Sequence, residues 1–444
     1  MNFLVGIRRL DHIQYFRSVI DGVTKESTKL YIAIDPNFLL NDSVADTKAY
    51  LQNEFGWAVE KVLVLSAGPE SANKVKKMLG CLIYMNDYNL EWNYLVRHAK
   101  RSRISALNFL LLNFLRKLPD DLRVFLATKL TNMYRNSLID SNLVNQWIRD
   151  LDLDLIFLSP GNMFDSYEDN LILDGRNLNV RTIVQTLSWD NLNSKGTVMA
   201  VPDLYLCWNE MHSELLMKRH LIPRDRIRIP GSVFFEKYTG ISKSFTKLDF
   251  CDALGISPNK KIIIYMGSSA NVCTNETISL LKTLTDYPEF SEKYFLLIRP
   301  HPANIDVWRD WRYEGTTVWP KFQSLEARSE IETYSILNSS EGVIGINTSG
   351  FLDALACGVP VVALENPDAI FQENTLHYSR LIQDGLKSVK SIQSAIDLIQ
   401  DSNYACGLLS TLELTLPMRD AATSNTLGFI EEIARRPNGG DNDA

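Results

Sequence analysis

The sequence predicts an α/β chain built from two parallel-sheet halves, and three observations carry that reading. Short apolar runs alternate with stretches of helical spacing, as buried parallel strands alternate with the helices that cover them. The alternation comes in two series, one from Phe3 to Gly231 and one from Lys261 onward, separated by a linker-like segment with a short helix at Phe235 to Ser257. Several runs end in turns of small polar residues, most plainly in residues 341–365, EGVIGINTSGFLDALACGVPVVALE.

That last stretch is the most informative. Val343-Ile344-Gly345-Ile346 is the apolar run of a buried strand, and Asn347-Thr348-Ser349-Gly350 is a run of helix-starting residues. Phe351 to Cys357 is a short helix, Gly358 its C-cap, Pro360 a bar to continuation, and Val361 to Leu364 the next strand. The turn after such a strand lies at the carboxyl edge of an open parallel sheet, where ligands bind, and its N–H groups and hydroxyls suit a phosphate. An ordinary connecting turn without a ligand is the competing reading.

In chain order, Phe3 to Ile7, Lys29 to Asp35 and Lys61 to Ser66 are expected strands, with a helix over Asp11 to Val23. A mainly helical insertion follows, near residues 70–150. Strands resume at Leu153 to Ser159, Val180 to Leu187, Leu204 to Trp208 and Ile227 to Gly231, with a helix at Met211 to His220. The second series has strands at Lys261 to Met266 and Tyr294 to Arg299, a helix near Ile331 to Asn338, the stretch above, and later helices at Ser391 to Gln400 and Thr423 to Ala434. The expected division is residues 1–238, 239–420, a C-terminal helix over 421–436 packing back on the first domain, and a disordered polar tail at 437–444. Each domain is Rossmann-like in pattern, yet neither carries G-x-G-x-x-G or the P-loop signature, so dinucleotide and P-loop nucleotide chemistry are poorly supported.

A net charge of −7 argues against a general nucleic-acid binder. Within it, residues 97–135 hold nine Lys or Arg against Asp120 and Asp121. A helix on an anionic membrane surface and a core helix with a solvated basic flank are the two readings of that reversal. The six cysteines are scattered without a CxxC pair, which fits free thiols in a reducing compartment. No apolar stretch is long enough to span a bilayer and the N-terminus does not read as a signal peptide, so the expected location is cytoplasmic, with peripheral attachment at the inner membrane face if the basic segment binds lipid.

Three strand-end loops of the second half are candidates to converge: Gly267-Ser268-Ser269, Arg299-Pro300-His301-Pro302 and Asn347-Thr348-Ser349-Gly350. Together they offer backbone N–H groups, hydroxyls, an imidazole and a guanidinium, a set suited to a diphosphate. Asp353, one turn into the helix, is placed for a ribose hydroxyl or for the helix start itself. No metal-ligand cluster is evident, and Asp152-Leu153-Asp154 reads as a helix end and strand start.

These residues resemble the donor-binding half of GT-B-type nucleotide-sugar glycosyltransferases, particularly bacterial capsule and surface-polysaccharide enzymes and teichoic-acid glycerophosphotransferase relatives. The carriers are RPHP at Arg299 to Pro302, INTSGFLDALACGVPVVAL at Ile346 to Leu364 and MGSS at Met266 to Ser269, with QTLSWDNLNSKG at Gln185 to Gly196 in the first half. The resemblance implies two Rossmann-like domains facing across a cleft, and metal-independent, cofactor-free sugar transfer from a nucleotide-sugar donor to a glycan or lipid-linked acceptor. On that reading Asp190 and His301 are the candidate catalytic groups, Asp165 and Glu168 the reserve, and Trp189, Asn191 and Lys195 meet the acceptor. An Asx-turn with a packing Trp is the alternative for this loop. The chain departs from the pattern in having Asp353 where many such enzymes have Glu, and in lacking Gly after Asp420. A sugar-nucleotide 2-epimerase, which shares the architecture, and a non-catalytic GT-B-like binding subunit are the alternatives.

Overall fold

The computed structural model describes residues 1–24, 28–65, 106–115, 117–136, 142–160, 168–194, 198–240, 246–270, 272–273, 275–319, 327–366, 369 and 376–435. The chain divides into two compact units: the described residues of Met1–Phe234 with those of Ala421–Ala444, and Phe235–Asp420.

The first unit is built on seven strands: β1 (Asn2–Ile7), β2 (Lys29–Ile34), β3 (Val59–Val64), β4 (Leu155–Ser159), β5 (Arg181–Gln185), β6 (Leu204–Leu206) and β7 (Ile227–Arg228). All pairings are parallel, in the order β3-β2-β1-β4-β5-β6-β7. The near-continuous burial of β1, β2 and β4 explains their uninterrupted apolar sequences, since helices cover both faces. One core joins Phe3, Val5, Phe157 and Ile183 to Ala422, Ile430 and Ile433 of the C-terminal helix Ala422–Arg435. Ser18 and Thr423 share a hydrogen bond at 2.8 Å on the same contact.

The expected helix over Asp11 to Val23 is a 3-10 turn at Leu10–Phe16 running into an α-helix at Arg17–Val23. Asp152-Leu153-Asp154 is the turn into β4, with Asp152 left-handed and the Asp154 carboxylate accepting the Asn2 N–H at 2.7 Å. Of the expected insertion, helices Ala106–Leu115, Asp120–Asn136 and Asn142–Leu151 are described. Arg97, Lys100, Arg101, Arg103 and Arg116 of the basic segment lie outside the described residues, as does the polar tail at 437–444. Part of the remainder is internal. Arg123 is buried, and the Arg135 guanidinium donates to the carbonyls of Val198 (2.8 Å), Met199 (3.2 Å), Leu221 (3.0 Å) and His220. Burial pulls Arg135 down to about 10, with Asp169 opposing.

The second unit holds β8 (Lys261–Met266), β9 (Tyr294–Arg299), β10 (Thr316–Val318), β11 (Gly342–Gly345), β12 (Val361–Leu364) and β13 (Ser388–Val389). They are parallel throughout, in the order β10-β9-β8-β11-β12-β13. Counted within the unit this is 3-2-1-4-5-6, the doubly wound Rossmann order, and the first six strands of the other sheet follow it too. The order reverses between β8 and β11, which makes the carboxyl ends of those strands a topological switch point. The strands β10 and β13 are not expected from the sequence, because Thr316, Thr317 and Ser388 leave no apolar run and both strands are only half-buried. No helix among the described residues is long and apolar enough to cross a membrane.

Candidate functional site

In the second unit, β9, β8 and β11 are consecutive in the sheet, so the loops that leave their carboxyl ends are neighbours. These are the loops carrying Gly267 to Ser269, Arg299 to Pro302 and Asn347 to Gly350. Gly267 donates its N–H to Arg299 O at 2.9 Å. A Cβ at Gly267 would stand 3.0 Å from the backbone N of His301 and 3.2 Å from Arg299 O, so a side chain here would require the neighbouring backbone to give by a few tenths of an ångström. Gly350 is constrained from the other side: a Cβ there would stand 2.1 Å from Met266 Sδ.

Ser268 is the hub. It is fully buried, and its N–H donates to Glu276 Oε1 at 2.7 Å. Its Oγ accepts the Asn347 N–H at 3.4 Å, and its carbonyl accepts Asn304 Nδ2 at 3.2 Å. One residue therefore ties the β8 loop to Asn304, in the 3-10 turn Pro302–Trp308 after β9, and to Asn347 after β11. Ser268 binds protein with each of these groups, so its part in a ligand site is to shape the loops.

Other groups are left outward. Among the described residues, the N–H and hydroxyl of Ser269, the N–H of Thr348, and the N–H and hydroxyl of Ser349 take no hydrogen-bond partner. Ser349 is exposed, and Ser269 and Thr348 are half-buried. Thr348 Oγ1 accepts the Gly350 N–H at 3.2 Å, while the N–H groups of Phe351 and Leu352 return to Thr348 O and Ser349 O. The helix Gly350–Ala356 has only seven residues and its first N–H groups are taken, so the unpaired donors lie in the loops. His301 and Arg299 are half-buried at the end of β9 and in the loop after it.

Asp353 is engaged elsewhere than the ribose expectation has it. Its Oδ1 accepts the Tyr238 hydroxyl at 2.6 Å. Tyr238 is buried, stacks on Tyr334 at 6.4 Å between ring centroids, and has its hydroxyl pKa raised by burial and by the Asp353 charge, with Arg299 opposing. Beneath the β8 loop lies Glu276, 0 % exposed, at the start of helix Glu276–Thr285. Its Oε1 also accepts the Tyr265 hydroxyl at 2.9 Å. Burial raises Glu276 to about 7 against hydrogen bonds from Ser268, Tyr265 and Asn304 that lower it. Neither Tyr238 nor Glu276 is visible as a site residue in the sequence.

In the first unit the loop after β5 is a packed turn. The Asn191 side chain accepts the Ser188 N–H at 2.6 Å, and the Ser188 hydroxyl donates to Asp190 Oδ1 at 2.7 Å. Trp189 is 2 % exposed, its ring lying 6.3 Å from Trp208 and 5.3 Å from His212. His212 Nε2 meets the Trp189 carbonyl at 3.1 Å. The expectation that Trp189 stacks on a sugar, and that Asn191 (1 % exposed) touches it, is corrected by this burial: both side chains are spent on the turn and the core. Asp190 is half-buried and bound to Ser188. Lys195 and Asp165 lie outside the described residues, and Glu168 opens the helix Glu168–Asn177. Among the described residues no three His, Cys, Asp or Glu side chains are arranged to hold a metal ion.

No protein-family model matches the chain, and no curated protein matches it in sequence. Solved structures do match in fold. A structure described as a putative UDP-N-acetylglucosamine 2-epimerase from Listeria monocytogenes is 12% identical with a TM-score of 0.57, covering 100% of this chain and 99% of that one. UDP-GlcNAc 2-epimerase from Neisseria meningitidis, solved bound to UDP-GlcNAc, is 11% identical with a TM-score of 0.54, covering 97% and 100%. CalG4, the calicheamicin glycosyltransferase, is 11% identical with a TM-score of 0.51, covering 98% of each chain. At such identities the likeness establishes the fold: two Rossmann-like parallel-sheet units of GT-B type. It also corrects the expectation of sugar transfer to a glycan or lipid acceptor. Four of the matching solved structures with TM-scores of 0.53 to 0.57 are named as UDP-GlcNAc 2-epimerases, and the alternative reading has the better support.

Proposed function

We propose that this chain is a sugar-nucleotide 2-epimerase whose substrate is a UDP-activated hexosamine of the UDP-GlcNAc kind. The observation that carries the reading is the set of unpartnered donors on Ser269, Thr348 and Ser349 around the β8/β11 switch point. Convergent N–H and hydroxyl donors at the carboxyl edge of a parallel sheet suit a diphosphate. The end-to-end match with epimerase structures supplies the substrate class.

The chemistry is consistent with such loops. Inverting C2 breaks and remakes a C2–H bond, and no carbonyl beside that carbon takes up the electron pair. Departure of the diphosphate from C1 does, leaving a C1–C2 double bond, and its return with a proton on the other face gives the epimer. Charge then grows on the leaving diphosphate, which is what aimed donors stabilise. We assign Ser269, Thr348 and Ser349 to the diphosphate, Arg299 to its charge, and His301 to proton transfer at that end of the substrate. Incubating the purified chain with UDP-GlcNAc and separating the sugar nucleotides tests this. A second UDP-hexosamine of the same mass is expected, and unchanged substrate at high enzyme concentration would remove the assignment.

A further inference from the structure

We propose that Glu276 is the positioning residue of the diphosphate site, and that its proton is linked to anion binding. The inference rests on the reading of these loops as the diphosphate site, and goes beyond it by naming what holds them and what controls them.

The geometry is specific. Glu276 has no exposed surface, and a single oxygen receives both the Ser268 N–H at 2.7 Å and the Tyr265 hydroxyl at 2.9 Å. Through Ser268 it fixes the residue whose Oγ and carbonyl hold Asn347 and Asn304. The unpartnered donors of Ser269 and Thr348 each follow directly on residues in this clamp. The carboxyl is thus a buried anchor of the loops whose unpartnered donors lie one residue further on.

A carboxylate in that place has two opposed effects. As an acceptor it orders the loop. As a charge it repels the diphosphate that the loop would hold, and a buried site screens little of that repulsion. Protonation removes the charge and keeps an acceptor oxygen for Ser268. The groups facing Glu276 are Tyr265 from β8, Ser268 from the loop, and Asn304 from the turn after β9. Of these only Tyr265 titrates, with its own ionisation pushed well up by burial, by Glu276 and by Cys273. Among the described residues no cation pairs with the carboxylate to hold it ionised, and burial places its titration at about 7. Anion binding therefore draws a proton onto Glu276.

The test is calorimetric titration with UDP-GlcNAc, whose diphosphate keeps a constant charge across neutral pH, from acid to alkaline of neutrality, on the wild type and on Glu276→Gln. The Gln side chain keeps an acceptor oxygen and cannot ionise. The expected wild-type result is affinity falling about tenfold as pH rises through neutrality, with proton uptake on binding seen in buffers of different ionisation enthalpy. In Glu276→Gln the affinity stays near the wild-type acid value and most of that slope is lost. A second variant, Glu276→Ala, removes the acceptor, and faster hydrogen exchange at the Ser268 amide is expected with or without ligand. Wild type and Glu276→Gln binding with the same pH profile would overturn this inference and leave the proposed function standing. No binding by either at any pH, with Ser268 exchange altered in Glu276→Ala, would overturn the proposed function and the proton linkage while keeping Glu276 as the loop's anchor.

Discussion

The Tyr238 hydroxyl donates to Asp353 Oδ1 at 2.6 Å. Asp353 is thereby committed to a buried tyrosine one turn into the helix that follows the Asn347 to Gly350 loop. Tyr238→Phe removes the donor without changing the ring. We expect a loss of about 1.5–3 kcal/mol of stability, read as a lower urea midpoint, since a hydrogen bond to a charged group contributes about that much. Asp353→Asn should cost a similar amount and change UDP-GlcNAc affinity by less than about threefold. A selective loss of affinity at full stability would restore the ribose contact.

Ser349 gives the opposite pattern. Ser349 is exposed and its hydroxyl has no partner among the described residues, so Ser349→Ala should leave the melting curve within about 0.5 kcal/mol of wild type. The same change should weaken UDP-GlcNAc binding by about 1.5–3 kcal/mol, the worth of a hydrogen bond to a charged group. Calorimetry and a denaturant melt on one preparation separate the two effects.

Gly267→Ala tests the loop approach itself. The added Cβ meets the backbone N of His301 at 3.0 Å, and backbone cannot swing aside as a side-chain end can. Strain of about 1–3 kcal/mol is expected, together with weaker UDP-GlcNAc binding as the two loops part. Unaltered affinity would show that their spacing is immaterial.

His220 in the first unit makes stability depend on acidity. Its Nδ1 accepts the Val198 N–H at 3.2 Å, so Nε2 donates to Leu192 O at 3.0 Å, and the ring is fully buried and neutral. Burial lowers it to about 3, with the Arg219 and Arg135 charges adding. A lowered folded value means that the unfolded chain takes up the proton first. This contribution is therefore complete above the unfolded value of about 6.5 and is lost as pH falls from there toward 3. Urea midpoints measured from neutral pH downward should fall with a slope of about one proton more in wild type than in a folded His220→Gln variant.

The fold was readable because both sheets are parallel and buried on two faces. Runs such as Ile262 to Met266 and Val361 to Leu364 are continuous apolar segments closed by turn residues, and that signal survives without homologues. The three loops were readable as well, since small residues at strand ends are local features. What stayed hidden depends on partners far along the chain. Tyr238 is 115 positions from Asp353, and nothing in FFEKYTG marks its hydroxyl as taken. Glu276 occupies the first turn of a helix, where an acid is ordinary, and only the folded loop shows it to be internal. The SWDN turn misled because Trp and Asp beside a strand end suit a sugar site and a packed Asx-turn equally, and burial decides between them. The choice of reaction rested on resemblance, and the same two-unit architecture serves epimerases and transferases alike.

The most direct measurement is proton NMR of the purified chain with UDP-GlcNAc in deuterium oxide. The account predicts a second set of UDP-hexosamine signals, with deuterium replacing the proton at C2 as the two epimers approach equilibrium. Bound UDP-GlcNAc that keeps its C2 proton and its configuration through prolonged incubation would contradict it.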